Sequence, residues 1–314
     1  MSAAVCLIAG HDYQGMLLTG HSRAFCRGAV HGHLGQRRTH WRRPIAEEST
    51  MTQPAANASV LAHNHGPTCV LTLNRLDKRN ALETAMYVQM ESYLDAALAD
   101  PAIANVVLTG AGNFFCSGGD LDSLATRAAL PTQERAALIE RLHSLVRKLK
   151  FFPKPVIAAI EGGAAGAGAS LAFAADLIVA AQGSYISMAY VKAGLVPDGG
   201  GSAFLALTLP HQLAAEIALF GGRLPVERFA AAGVVNRVVE QGTALDVALE
   251  LAQQLAAGPR ESQAAILELL DGPGRELFER QLEREKQLMA QALGGAEAAE
   301  GIAAFKGKRA PRFG

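Results

Sequence analysis

Lys154-Pro-Val-Ile-Ala-Ala-Ile-Glu-Gly-Gly-Ala-Ala-Gly-Ala-Gly168 sets an unbroken apolar run, a glycine-rich turn and a small-residue segment in direct succession. Val156–Ile160 has the length and continuous apolarity of a strand covered on both faces, rather than the alternation of a half-exposed one. Ala165–Ala175 reads as a helix of small residues. The glycines between them permit positive φ and let a ligand or a second backbone approach closely. A glycine-rich turn that feeds a helix also aims unpaired N–H groups, and the positive end of the helix dipole, at bound negative charge.

The same rhythm extends in both directions. Cys69–Leu73 and Asn105–Thr109 are short apolar strands on the N-terminal side, and Leu177–Ala181 is one on the C-terminal side. Between them, Ala81–Ala99 carries Leu82, Met86, Met90, Leu94 and Leu98 at helical spacing and stops at Asp100-Pro101. Pro131–Lys150 is a second amphipathic helix. Strands alternating with helices in this way predict an α/β core with helices on the sheet faces. Beyond about residue 203 the pattern is helical: Ala203–Leu209, Gln212–Phe220, Val226–Ala232, Ala244–Ala257, Arg260–Leu270 and Arg275–Ala292, interrupted by a strand at Val234–Val239. The expected organisation is an α/β core over 51–255 and a helical C-terminal region over 256–314.

Residues 1–50 differ from the rest. They hold Arg23, Arg27, Arg37, Arg38, Arg42 and Arg43, five of the nine histidines and the only tryptophan, with almost no acid before Glu47. An Arg-rich, acid-poor start fits a targeting segment. It equally fits an upstream start ahead of a protein that begins at Met51. On either reading the segment is expected to lie outside the fold, and the location is cytoplasmic, or an organelle matrix if the segment is a transit peptide.

Lys+Arg and Asp+Glu are equal at 29 each, so no net basic field exists to attract nucleic acid or an anionic membrane. Half the residues are hydrophobic and 18% are charged, a composition for a folded chain rather than a disordered one. Cys6, Cys26, Cys69 and Cys116 form no C-x-x-C pair and read as reduced thiols, with no metal site implied. No apolar run reaches the roughly 18–20 residues of a membrane helix.

Two further turns resemble the opening one: Phe115-Cys-Ser-Gly-Gly-Asp-Leu121 and Gly194-Leu-Val-Pro-Asp-Gly-Gly-Gly201. Neither G-x-G-x-x-G nor G-x-x-x-x-G-K-[ST] occurs, so the dinucleotide and P-loop fingerprints are absent. Taken in order, with Asn74-Arg-Leu-Asp-Lys-Arg-Asn-Ala-Leu82 before them and Phe305-Lys-Gly-Lys-Arg-Ala-Pro-Arg-Phe313 after, these segments resemble the crotonase (enoyl-CoA hydratase/isomerase) family. Leu76 stands where that family usually has Pro. The resemblance covers about four-fifths of the chain. It implies a spiral core of ββα units, an acyl-CoA thioester as substrate and no separate cofactor, since coenzyme A belongs to the substrate. It also implies a homotrimer or hexamer.

The resemblance places two oxyanion donors on the backbone N–H groups of Ser117 and Ala167, the latter a Gly in most of the family. Chemistry beside a thioester carbonyl builds an enolate, and two fixed dipoles stabilise that charge more than the ground-state carbonyl. Family hydratases use two glutamates, and the matching positions here are Ser170 and Tyr190, neither able to act readily as an acid/base near neutrality. Asp198, in Val196-Pro-Asp-Gly-Gly200, occupies the turn where some family isomerases keep a single carboxylate, among them the ring-epoxide isomerase of phenylacetate breakdown. By composition alone Pro-Asp-Gly is also an ordinary β-turn.

Coenzyme phosphates call for basic residues. By resemblance the coenzyme contacts are Lys78, Arg79, Ala81, Ser117, Gly118, Gly119, Asp120, Leu121, Lys306 and Lys308. Asp120 also reads as a helix cap, Glu161 as structural, and His143 as a surface or core-edge residue. Four readings stand at this point: an isomerase using Asp198; a hydratase or oxepin-CoA-type hydrolase with atypical water activation; a serine hydrolase built on Gly168-Ala-Ser-Leu-Ala172; and a non-catalytic acyl-CoA binder.

Overall fold

Two sheets organise residues 58–314, the part of the chain that the computed structural model describes. The expectation for residues 1–50 lies outside the described residues. The chain runs β1 (Val60–His65), β2 (Thr68–Leu73), α1 (Thr84–Ala99), β3 (Asn105–Gly110), α2 (Leu121–Ala128) and α3 (Thr132–Lys150). It continues through β4 (Val156–Ile160), β5 (Gly163–Ala165), α4 (Ala167–Phe173), β6 (Leu177–Ala181) and β7 (Tyr185–Ser187). Then come α5 (Gly201–Thr208), α6 (His211–Phe220), β8 (Leu224–Pro225), α7 (Val226–Ala231), β9 (Arg237–Val239), α8 (Ala244–Ala256), α9 (Arg260–Leu293) and α10 (Ala296–Lys306).

The larger sheet has the order β1-β2-β3-β4-β6-β9, antiparallel only at the β1–β2 hairpin. The smaller sheet has the order β5-β7-β8. After three successive strands of the larger sheet the chain visits the smaller one before it turns helical. From β3 it reaches Cys116, which bridges Ala164 of β5, and enters α2. From β4 it passes through β5 into α4, and from β6 through β7 into a 3₁₀ turn at Ala189–Ala193. That is the ββα repeat the family resemblance implies.

The apolar strands are buried on both faces because successive side chains alternate. Val106, Leu108, Val156, Ala158, Ile160, Ile178 and Ala180 face one core, shared with α1, α3 and α4. Val70, Val107, Ile157, Ala159, Val179 and Ala181 face a second, covered by Ala244, Ala248 and Ala252 of α8. Asn105 fixes that helix by donating from its side-chain amide to the Ala252 carbonyl at 2.7 Å.

One expectation needs correcting. The sequence pattern gives two helices, Arg260–Leu270 and Arg275–Ala292, yet α9 is continuous over 34 residues with Pro273 inside it. Proline removes one backbone hydrogen bond, at a cost of about 3 kcal/mol. Tertiary contacts hold the helix on both sides of that defect: Asp271 pairs with Lys150 at 2.7 Å, and the Arg275 guanidinium lies 3.9 Å from the Phe151 ring centroid. Phe278, one turn further, is buried against Phe151 and Phe204.

Gly168 lets α4 press against the Phe115–Leu121 segment, because a Cβ there would sit 2.7 Å from Cys116 Cβ and Sγ. This contact sets two glycine-rich turns side by side. Gly168→Ala is therefore expected to lower stability by about 1–3 kcal/mol through overpacking, measurable as a fall in melting temperature.

Candidate active site

Backbone hydrogen bonds bring the first two turns together. Phe115 N–H donates to the Glu161 carbonyl at 2.9 Å, Cys116 N–H to the Gly163 carbonyl at 3.3 Å, and Ala165 N–H to the Cys116 carbonyl at 2.9 Å. Gly118, with φ +96°, then lies against the start of α4: a Cβ on it would be 2.8 Å from the Ala165 carbonyl oxygen and 3.5 Å from Ala167 N. Ala167 is the first residue of α4, so its N–H is one of the four that a helix leaves unpaired. It points out of the positive end of the helix, where an oxyanion is favoured.

The other expected donor is engaged. Ser117 N–H donates to the Arg79 carbonyl at 3.0 Å, and the Ser117 hydroxyl donates to the Lys78 carbonyl at 3.0 Å. Arg79 and Asn80 both adopt left-handed backbone, with φ 49° and 57°. The buried Asn80 side chain holds this turn: its oxygen accepts from Arg75 N–H at 2.9 Å, and its amide donates to the Phe114 and Ala111 carbonyls at 2.7 and 3.0 Å. An oxyanion placed here would share the Ser117 N–H with Arg79 or displace that bond.

The third turn holds a buried carboxylate. Asp198 is 8% exposed and its Oδ1 accepts from the Tyr190 hydroxyl at 2.8 Å. The Ser170 hydroxyl, on fully buried α4, donates to the Asp198 carbonyl at 2.9 Å. The two positions where the resemblance would place glutamates thus both bond to Asp198. Burial raises the Asp198 pKa to about 6, with the Tyr190 hydrogen bond and the charge of Arg127 opposing. Ser170 lies within a helix with its hydroxyl committed to a carbonyl, which removes the basis for the serine-hydrolase reading.

Glycines make room for this turn. A Cβ on Gly200, whose φ is +77°, would meet the Phe278 ring at 2.9 Å, and one on Gly201 would meet Met188 Cε at 2.6 Å. The sequence Asp-Gly-Gly-Gly is therefore a packing requirement as well as a turn signal.

Of the expected coenzyme contacts, Lys78 and Lys306 are brought together: their ammonium groups lie 3.1 and 2.9 Å from the Asp122 carboxylate. Asp122 is the second residue of α2, which begins at Leu121 just after Gly118, Gly119 and Asp120. Gly119 bridges Leu82, which places the Ala81–Leu82 backbone beside the same segment. Arg79 is exposed, its guanidinium 5.9 Å from the Phe114 ring centroid. Lys308 lies at the exposed C-terminal end and is not among the residues that pair with Asp122. Asp120 caps α2, accepting from Asp122 N–H at 2.9 Å and Ser123 N–H at 3.3 Å, and Arg75 binds its other oxygen at 2.9 Å.

Glu161 is structural: its carboxylate accepts from Gly242 and Ala244 N–H at 3.0 Å each, at the start of α8. His143 is not at the surface but fully buried, 3.8 Å from Glu285, and burial lowers its pKa to about 4. Two participants have no counterpart in the sequence reading. One is the Tyr190 hydroxyl as a partner for Asp198. The other is Glu285, whose link to the third turn spans more than eighty residues, beyond the reach of any local pattern.

Comparison with known proteins identifies the family. Residues 63–314 match the family described as Enoyl-CoA hydratase/isomerase. A 1,2-epoxyphenylacetyl-CoA isomerase of Escherichia coli (strain K12) is 35% identical over 81% of this chain and 97% of its own length. A 2,3-dehydroadipyl-CoA hydratase of the same organism is 32% identical over 78% of this chain and 94% of its own length. The crystal structure of an enoyl-CoA hydratase from Polaromonas sp. JS666 is 41% identical, with a TM-score of 0.67, over 82% of this chain and all of that one. The chain belongs to the enoyl-CoA hydratase/isomerase family and has the crotonase fold. It is an acyl-CoA enzyme of that family.

Proposed function

We propose that the enzyme isomerises an enoyl-CoA or a ring-derived acyl-CoA, with Asp198 as its acid/base and the N–H groups of Ala167 and Ser117 as its oxyanion donors. The observation that carries this reading is the burial of one carboxylate, Asp198, between Ser170 and Tyr190. Its likeness to the 1,2-epoxyphenylacetyl-CoA isomerase supports the choice of reaction. A double-bond shift needs one group that takes a proton from one carbon and returns it to another. For a 3-enoyl thioester, Asp198 would take the proton at C2, the resulting enolate oxygen would rest on the two N–H groups, and the same proton would return at C4. A pKa of about 6 leaves Asp198 ionised near neutrality and still a usable acid once protonated.

The coenzyme phosphates are assigned to Lys78, Arg79, Lys306 and Lys308, with Ala81 and Ser117–Leu121 beside the coenzyme. Lys78 and Lys306 would exchange their pairing with Asp122 for phosphate. Hydration is the second reading, supported by the likeness to the 2,3-dehydroadipyl-CoA hydratase. It would need water activated without a second free carboxylate.

Tyr190→Phe removes a hydrogen bond that favours the Asp198 carboxylate. Its acid limb of turnover is expected to move above pH 6, measured as kcat/KM against pH; an unmoved limb would detach Tyr190 from the chemistry. A homotrimer or hexamer is the assembly proposed, supported by Leu219, Phe220, Leu269 and Leu270, each 70–75% exposed. Light scattering that gives a monomer would oppose it. No helix of the described residues is long and apolar enough to cross a membrane.

A further inference from the structure

We infer that Glu285, on the C-terminal helix α9, is a positioning residue that holds the Asp198 turn in its working geometry. The inference rests on Asp198 as the acid/base, and its evidence is a set of contacts. One Glu285 oxygen accepts from Gly200 N–H at 2.8 Å; the other accepts from Ser202 N–H at 2.7 Å and from the Ser202 hydroxyl at 2.6 Å. Gly200 and Ser202 flank the first residue of α5, so the carboxylate binds unpaired N–H groups at that helix's positive end. Both lie within four residues of Asp198. Glu285 is 3% exposed, and a carboxylate is seldom buried without such a purpose.

The surrounding contacts make the anchor stiff. Gln281, one turn earlier on α9, donates to the Ser202 hydroxyl at 2.8 Å. Phe278, a further turn back, fills the space beside Gly200 that the glycine leaves. His143 of α3 lies 3.8 Å from Glu285 with neither ring nitrogen hydrogen-bonded among the described residues, and burial keeps it neutral; burial also raises the Glu285 pKa to about 7, against the hydrogen bonds from Ser202 and Gly200. The backbone of the turn is what satisfies Glu285. Conversely, Glu285 couples α9 to the position of Asp198: loss of the anchor would free Gly200 and Ser202 and let the carboxyl group drift. A displacement of about 1 Å at a reacting group can cost on the order of a hundredfold in rate.

The test compares Glu285→Gln with wild type by steady-state kinetics and by amide hydrogen exchange across 199–202. Gln keeps the shape but has only one accepting oxygen, so one N–H contact is lost. Turnover number is expected to fall about 10–100-fold with KM within about threefold, and exchange at Gly200 or Ser202 to quicken at least about tenfold. Should the variant not fold, Ser202→Ala removes the hydroxyl's contacts with Glu285 and Gln281, keeps the Ser202 N–H contact, and is expected to lower turnover number severalfold. Wild-type turnover in a variant whose exchange has quickened would overturn the inference. So would a loss of rate that only tracks the loss of folded protein. Failure of the Asp198 reading would show separately, as full turnover by Asp198→Asn, and does not move the exchange at Gly200 and Ser202.

Discussion

Asp198→Asn is expected to lower acyl-CoA isomerisation by about 10²–10⁴, the usual worth of a positioned acid/base, while coenzyme A binding stays near wild type. The amide keeps the volume of the carboxyl and can still accept the Tyr190 hydrogen bond at 2.8 Å, so the change removes proton transfer and little else. The same variant carries a stability signature of opposite sign. Asp198 has its pKa raised in the fold from 3.8 to about 6, so the native state holds that proton more tightly than the unfolded chain. Its contribution to stability is complete below about pH 4 and is lost as pH rises through about 6. Asn has no charge to bury. Above pH 6 the variant should therefore be more stable than wild type, by up to about 3 kcal/mol at 1.36 kcal/mol per unit, and the difference should close towards pH 4. Melting curves at pH 4.5 and pH 8 test this. A site that becomes more stable when its chemistry is removed holds that group for function. Equal melting temperatures at both pH values would mean the carboxylate is not desolvated.

Ala167→Pro is the second large effect. Proline is tolerated at the first position of a helix because the N–H it lacks is unpaired there. Ala167 holds that position in α4, and Gly166 before it, with φ 51° and ψ −128°, is clear of the α region that a following proline disfavours. The substitution deletes the proposed oxyanion donor while leaving the helix ladder intact. Turnover should fall about 10²–10³, as when a single oxyanion donor is removed. Far-ultraviolet dichroism and melting temperature serve as the controls. Retained activity in a folded variant would mean that the oxyanion rests elsewhere.

How much of this was legible in the sequence depended on how local each signal is. Leu177–Ala181 is a strand with those bounds, and Asn105 and Val156 each open a strand where the apolar run begins, because a strand buried on both faces writes itself as a continuous run. β7 and β8, of three and two residues, are too short to carry a period and passed unseen. α10 was missed because its buried side has a single large apolar residue, Ile302, beside Ala298, Gly301 and Ala304, small residues that hardly differ from its exposed ones. The gap that the helical pattern leaves between Leu270 and Arg275 is closed by the tertiary contacts of Asp271 and Arg275, which no local pattern carries.

The site divides the same way. Asp198, Ser117 and Ala167 lie in glycine-rich turns that the sequence displays openly. Asp120 and Glu161 were read as structural, and each caps a helix. Tyr190 was read for the glutamate it replaces, and only the fold reveals that its hydroxyl serves Asp198. His143 sits on an amphipathic helix whose buried side is wider than its pattern suggests, with Arg135 and His143 among its buried residues. The engagement of Ser117 N–H with Arg79 depends on two left-handed residues in succession, which no apolar pattern encodes.

The most direct test of the central claim is the mass of the product. Wild-type enzyme would be incubated in ¹⁸O-labelled water with 2-enoyl, 3-enoyl and ring-epoxide phenylacetyl thioesters. The Asp198 account predicts a product with the mass of its substrate and no label, formed from the 3-enoyl or the ring-epoxide thioester. A product heavier by one labelled water would contradict it and make the enzyme a hydratase.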